Sequence, residues 1–343
     1  MYNMLILFPI IGLDGAYNPD KLDYDDKQTD NQPAEEGETP FYGDEKKEEI
    51  IKNKEPLRPP SPSENVYPLL KNFLNEVVVL LITINENEVW SAINYMTPPV
   101  FASGNPKLSR AISYYDPKLG ALLVLGMFGG HKTALIQAKM GDDARVEIEN
   151  ALDLVPNAQL VAGVGVAYGR KEKTEFGDVL VATTIDGIGN IRWDNGSLMF
   201  YQGDNRYTRT EQRAIEVFAR EVDDWSTITG FKATKEGRIP KVIAKTIISA
   251  PWLINDLKVL NEVMENDPRA VGGEMEGQII AGIHNDFLAL NPPRKIDAII
   301  IKGVSDHADG NKHKGWQMTA ALAAIGYTKF KLERTQGQIC KGN

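Results

Sequence analysis

The chain has 343 residues, 42% of them hydrophobic and 25% charged, with a formal net charge of -9. This composition fits a soluble globular protein, and an acidic balance with no Lys/Arg cluster argues against nucleic acid as a partner. A single cysteine, Cys340, rules out an internal disulfide framework and a cysteine-rich metal site, and no apolar run is long enough to span a bilayer.

Residues 4–13 form an apolar stretch of signal-peptide length, but it lacks a basic start and contains Pro9. It reads as a short strand or tail docked on the core of a cytoplasmic protein, with a cleaved signal as the alternative. From 14 to 64 the composition shifts to acids and prolines, including Asp23, Asp25, Asp26, Glu35, Glu36, Pro56, Pro59 and Pro60. Few apolar residues are present there to offset the entropy of ordering. Residues 1–65 are therefore expected to be an acidic, Pro-rich arm or linker. A catalytic domain over 66–335 and a polar tail over 336–343 follow.

A short helix is expected at 68–73, then a strand within 76–84, where Val77, Val78, Val79, Leu80, Leu81 and Ile82 suit burial on both faces of a sheet. A helix over 86–95 stops before Pro98. The runs 121–127 and 133–139 flank Gly129-Gly130, which predicts a hairpin. Asp142 or Asp143 is placed to cap a helix ending near 154. Further strands are expected at 160–166, 178–184, 241–249 and 298–304. Helices are expected at 210–222, 257–265, 276–289 and 316–332, the last as a candidate interface element. Strands alternating with helices predict an α/β fold with a mixed, mostly parallel central sheet flanked by helices.

Four places carry candidate chemistry. Acidic Glu86 and Glu88 follow the first strand, where ligands of open α/β sheets sit, although helix starts favour acids in any case. The glycines of 163–169 permit close backbone approach, or else mark a tight turn. In Gly273-Glu274-Met275-Glu276-Gly277, an acidic turn opens an apolar helix, so Glu276 either faces the strand ends or serves a helix start. Finally, Ser305-Asp306 ends the apolar run 298–304, where a carboxylate is costly unless paired or used; an Asx turn is the alternative.

In order and spacing, Glu86 to Val89, Gly165 to Asp178, Met275-Glu276 and Ser305-Asp306 resemble the purine nucleoside phosphorylase and methylthioadenosine/S-adenosylhomocysteine nucleosidase superfamily over 75–335. Gly272-Gly273-Glu274-Met275-Glu276-Gly277 and Ala308-Asp309-Gly310-Asn311-Lys312 look most like its immune-effector branch, several members of which act on adenine nucleotides, including ATP.

The resemblance implies a phosphorylase/hydrolase-like fold and cleavage of a purine N-glycosidic bond. It makes Asp306 the proton donor to purine N7, kept protonated at a partly desolvated strand end. Glu276 would hold the ribose hydroxyls, and Glu88 would activate water. Met275, Glu274, Gly165, Ala167, Trp252, Leu253, Ile254 and Ser305 would line the substrate site; by position, Arg170, Arg145, Lys312 and Lys314 are candidate phosphate contacts, or else ordinary solvated charges.

Phosphorylases of the superfamily hold phosphate with an Arg before the Gly-rich strand end. The matching positions here are Gly163 and Val166, so water is the expected nucleophile. A phosphate-dependent phosphorylase and a catalytically silent binding module are the alternatives. No metal or organic cofactor is expected, since the histidines lack ligand spacing. The expected partner is a small purine nucleoside or nucleotide, and the resemblance implies a homo-oligomer.

Overall fold

The computed structural model describes residues 39–42, 44–53, 66–100, 111–116, 119, 121–188, 190–194, 197–201, 207–209, 212–219, 225–290, 293–310 and 315–335. The strands are β1 (Val79–Thr83), β2 (Ile112–Asp116), β3 (Ala121–Phe128), β4 (His131–Gln137), β5 (Leu160–Gly169), β6 (Val179–Gly187), β7 (Asn190–Asp194), β8 (Ser197–Tyr201), β9 (Tyr207–Arg209), β10 (Val242–Ser249), β11 (Gly272–Glu274) and β12 (Asp297–Asp306). The helices are α1 (Asp44–Asn53), α2 (Val66–Asn75), α3 (Glu86–Tyr95), α4 (Ala144–Leu154), α5 (Gln212–Phe218), α6 (Trp225–Thr229), α7 (Leu257–Asn266), α8 (Gly277–Leu288) and α9 (Trp316–Arg334).

One large sheet runs in the order β11-β10-β6-β12-β5-β1-β4-β3-β2, with β9 paired to β6, while β7 and β8 form a separate ribbon. Its centre is parallel, β12 to β5, β5 to β1 and β1 to β4. Antiparallel pairs occur at β2–β3–β4 and between β6 and β12. The expected mixed, mostly parallel sheet is present. In addition, Gly272 and Gly273 pair antiparallel with Gly169 and Tyr168, so the half from β11 to β5 closes on itself.

Both faces of the sheet are covered, which explains the continuous apolar runs. Along β1, Leu80 and Ile82 enter one core with Ile148 of α4 and Ile280 of α8. Val79 and Leu81 enter the other with Ile93 of α3 and Leu322 of α9. Neighbouring residues of a strand point to opposite faces, so one run feeds two cores.

Several expectations need correction. The glycines of 163–169 make no turn; they lie inside β5, which runs to Gly169. Asp143 precedes α4 by position, but its side chain makes no capping bond. Helix α9, offered as an interface element, is buried from Met318 to Thr328 against this chain's own sheet and α3. The helix expected at 210–222 is the shorter α5, and β2, β7, β8 and β9 were not anticipated.

Part of the acidic arm is folded as well. Pro40 bridges Thr234, Tyr42 exchanges hydrogen bonds with the Thr319 hydroxyl, and Ile50 of α1 is 3% exposed within the α3/α9 core. The apolar start and the polar tail with Cys340 lie outside the described residues. Among the described residues, no helix is long and apolar enough to cross a membrane.

Candidate active site

The turn from β1 into α3 fixes the first carboxylate. Asn85 caps α3, its Oδ1 accepting from the Glu88 N–H at 3.1 Å, and Glu88 Oε2 accepts in return from the Asn85 N–H at 3.1 Å. This reciprocal capping box satisfies helix-start donors and locks the Glu88 side chain. Oε2 also accepts from the Ile84 N–H at 2.6 Å, and Oε1 accepts from the Val166 N–H of β5 at 2.8 Å. Glu88 is only 1% exposed. Gly165 makes this approach possible, because a Cβ there would overlap the Glu88 carboxylate.

The second group sits between β11 and α8. Glu274 caps α8 from the preceding strand, accepting from the Glu276 N–H at 2.9 Å and the Gly277 N–H at 2.8 Å. Glu276 occupies the cap position, yet its side chain makes no capping bond and is turned elsewhere. Its Oε1 accepts from the Gly141 N–H at 3.1 Å, and its Oε2 lies 3.6 Å from Lys302 Nζ. The same ammonium is 3.9 Å from Glu274 Oε2.

Lys302 is 2% exposed, in the middle of β12, and also within electrostatic reach of Glu88. One cation therefore faces three carboxylates. Burial opposes its charge, but Glu276, Glu88 and Glu274 outweigh that and hold the ammonium above its ordinary range. For Glu276 that single cation is not enough. Burial pushes Glu276 up to about 7, with Glu274 and Glu88 adding to the rise and Lys302 and the Gly141 N–H opposing it.

The third element is the end of β12. Asp306 is half-buried; its Oδ1 accepts from the Ala308 N–H at 2.9 Å, the Asx turn weighed above. Ala308 has φ 52, the positive-φ non-glycine residue of the described chain. The Ser305 hydroxyl lies 3.2 Å from Asp306 Oδ2 and 3.4 Å from the Ala167 carbonyl oxygen. Its single proton can serve one of them. Beyond Asp306, His307 Nδ1 meets the Gly169 carbonyl at 2.9 Å, and its ring stacks on Phe176 at 4.5 Å. This anchors the strand end.

Of the remaining candidates, Ala167 is buried in the strand beside Ser305, and Met275 is half-buried in the turn between Glu274 and Glu276. Ile254 is buried with Ala250 and Ala308 in an apolar cluster that Trp252 packs against, while Leu253 is 46% exposed. The two arginines are engaged elsewhere. Arg170 pairs with Glu172 at 3.1 Å and donates to the Pro268 carbonyl at 3.5 Å. Arg145 pairs with Glu149 and Asp286, both at 2.9 Å. Asp286 lies nine residues into α8, about 13 Å along its axis from the site.

Lys302 was missed by the sequence reading. The available signal was a lone charge within the apolar run 298–304, which demands a buried counter-charge.

Comparison with solved structures settles the architecture. The 5'-methylthioadenosine/S-adenosylhomocysteine nucleosidase of Neisseria meningitidis, in complex with methylthio-immucillin-A, aligns with TM-score 0.55 and 19% identity, covering 75% of this chain and 99% of that one. The futalosine hydrolase of Helicobacter pylori aligns with TM-score 0.57 and 13% identity, covering 76% and 98%. The chain has the nucleosidase fold.

No family model matches the chain. A curated protein, the death domain-containing ATP nucleosidase of Amphimedon queenslandica, is 28% identical over 234 residues. That match takes in 63% of this chain but 42% of the relative, so the nucleosidase-fold region corresponds to less than half of that protein.

Proposed function

We propose that the protein hydrolyses the N-glycosidic bond of a purine nucleoside or nucleotide, with adenine as the base, and releases the free base. The observation that carries this reading is a buried Lys302 held among Glu88, Glu274 and Glu276, with Asp306 ending the same strand. Breaking the bond from sugar C1′ to purine N9 leaves a cationic sugar and an anionic base. Asp306 delivers a proton to N7, and the bonding electrons pass to the base. Ionised Glu276 holds the ribose hydroxyls and sets negative charge beside the forming cation. Water attacks C1′ as Glu88 takes its proton. Asp306 is set at the strand end beside the Ser305 hydroxyl, which lies 3.2 Å from its Oδ2.

Water is favoured over phosphate because, among the described residues, the positions matching the phosphorylases' phosphate clamp bring no cation. Gly163 packs beneath Ile280, the Val166 N–H is given to Glu88, and Lys302 is shared by three carboxylates. The name of the curated relative supports ATP as the substrate to try first. The pairing of Arg170 and Arg145 leaves contacts to a triphosphate to other groups; Lys312 and Lys314 lie outside the described residues. A cytoplasmic homo-oligomer remains part of the proposal.

The test is chromatography of products from ATP, AMP, adenosine and methylthioadenosine, each with and without phosphate. Free adenine in the absence of phosphate is expected. Release only with phosphate would make the protein a phosphorylase, and no release from any of the four would overturn the reading.

A further inference from the structure

Tyr168 takes no part in the chemistry described so far, yet it sits where that chemistry converges. Its backbone pairs with Asp306 across one edge of β5 and with Gly273 across the other. It thus lies between the proton donor and the strand that leads into the ribose-binding turn. Its side chain is 8% exposed and belongs to the apolar cluster of Ala250, Ile254 and Ala308, against which Trp252 packs.

Two glycines make room for it. A Cβ on Gly273 would overlap the phenol ring and hydroxyl, and a Cβ on Gly272 would overlap the Tyr168 carbonyl oxygen. The Gly-Gly ahead of the acidic turn is therefore a seat for this residue. In that seat, the phenol oxygen is buried without a hydrogen-bond partner among the described residues, and so is Trp252 Nε1 of the same cluster. A buried hydroxyl left unpaired costs about 1–3 kcal/mol. Burial above all, then the charges of Glu274, Asp306 and Asp186, raises its pKa and keeps it a donor at any pH the protein meets.

We propose that Tyr168 is a base-recognition residue whose phenol O–H donates a hydrogen bond to a ring nitrogen of the bound purine. The inference rests on the purine-cleaving reading above. A purine offers what the cluster lacks, a flat apolar face for Ile254 and Trp252 and acceptor lone pairs at its edge. Asp306 engages N7, and the phenol takes another ring nitrogen.

The experiment compares wild type and Tyr168→Phe for KM, kcat and thermal midpoint with adenosine and ATP. Phenylalanine keeps the ring and removes only the oxygen. A rise in KM of roughly 10-fold, with kcat within about 3-fold and the thermal midpoint unchanged or higher, is expected, since the lost partner exists only in the complex. An unchanged KM overturns the inference, as does a loss confined to kcat. A fall in thermal midpoint also overturns it, because the hydroxyl would then have an internal partner. Wild type inactive on every purine nucleoside would instead remove the functional reading, which the wild-type arm detects by itself.

Discussion

Desolvation outweighs the neighbouring charges in setting the protonation of Glu276, and Lys302 offsets it only in part, leaving the carboxyl at about 7. Turnover needs the ionised form, so kcat/KM should fall about 10-fold per unit as pH drops below about 7, in a pH–rate profile. Stability has the opposite sign. A raised folded-state value means that the Glu276 contribution is full below its ordinary value of 4.5 and is lost as pH rises through about 7. Glu276→Gln should therefore melt higher than wild type at pH 8 and match it at pH 5, while losing turnover; equal melting at both would sink the assignment. Asp306 is a separate case. Asp306→Asn should lower turnover about 10²–10⁴-fold with melting unchanged, and a variant of wild-type activity would remove its acid role.

At the scale of elements, β5 does the most to place the site, through what it lacks. Gly165→Ala would drive a methyl group into the Glu88 carboxylate, displacing it from the Val166 N–H. Overpacking of this kind costs about 1–3 kcal/mol, and turnover should drop far more than stability, compared by denaturant titration and initial rates. A variant that lost both in proportion would make Gly165 a plain packing residue. The strand itself was legible, since β1, β5 and β12 are apolar on both faces and announce burial. The meaning of its glycines was not. Their reason is Glu88, and Val166 and Glu88 stand 78 positions apart, so local pattern left them open between close backbone approach and a tight turn. The positions of Glu276 and Asp306 were legible, since each stands at the end of an apolar element. Glu274 was read as a substrate contact because the sequence does not show which carboxylate of the acidic turn caps α8.

For the whole molecule, the acidic arm shows the limit of composition. Charge and proline content predicted an acidic arm or linker; within it, α1 buries Ile50 against α3 and α9, and Lys47 meets Glu86 at 2.6 Å. Two adjacent isoleucines, Ile50 and Ile51, on an otherwise polar helix are a weak local pattern, legible only once the receiving groove exists. Ile50→Ala should cost about 2–4 kcal/mol by shift of the denaturant midpoint at constant slope, whereas a linker would show no change. The arm thus braces the helix that begins beside Glu88. The sheet order has a temporal consequence too. Among the described strands β12 comes last in chain order, yet it must slot between β5 and β6, and it carries both Lys302 and Asp306. Until it inserts, a nascent chain holds three site carboxylates without their cation and lacks the acid. Contacts of such sequence separation form slowly. Before β12 inserts, the chain should therefore be long, largely collapsed and catalytically blank, and that one late insertion should switch it on.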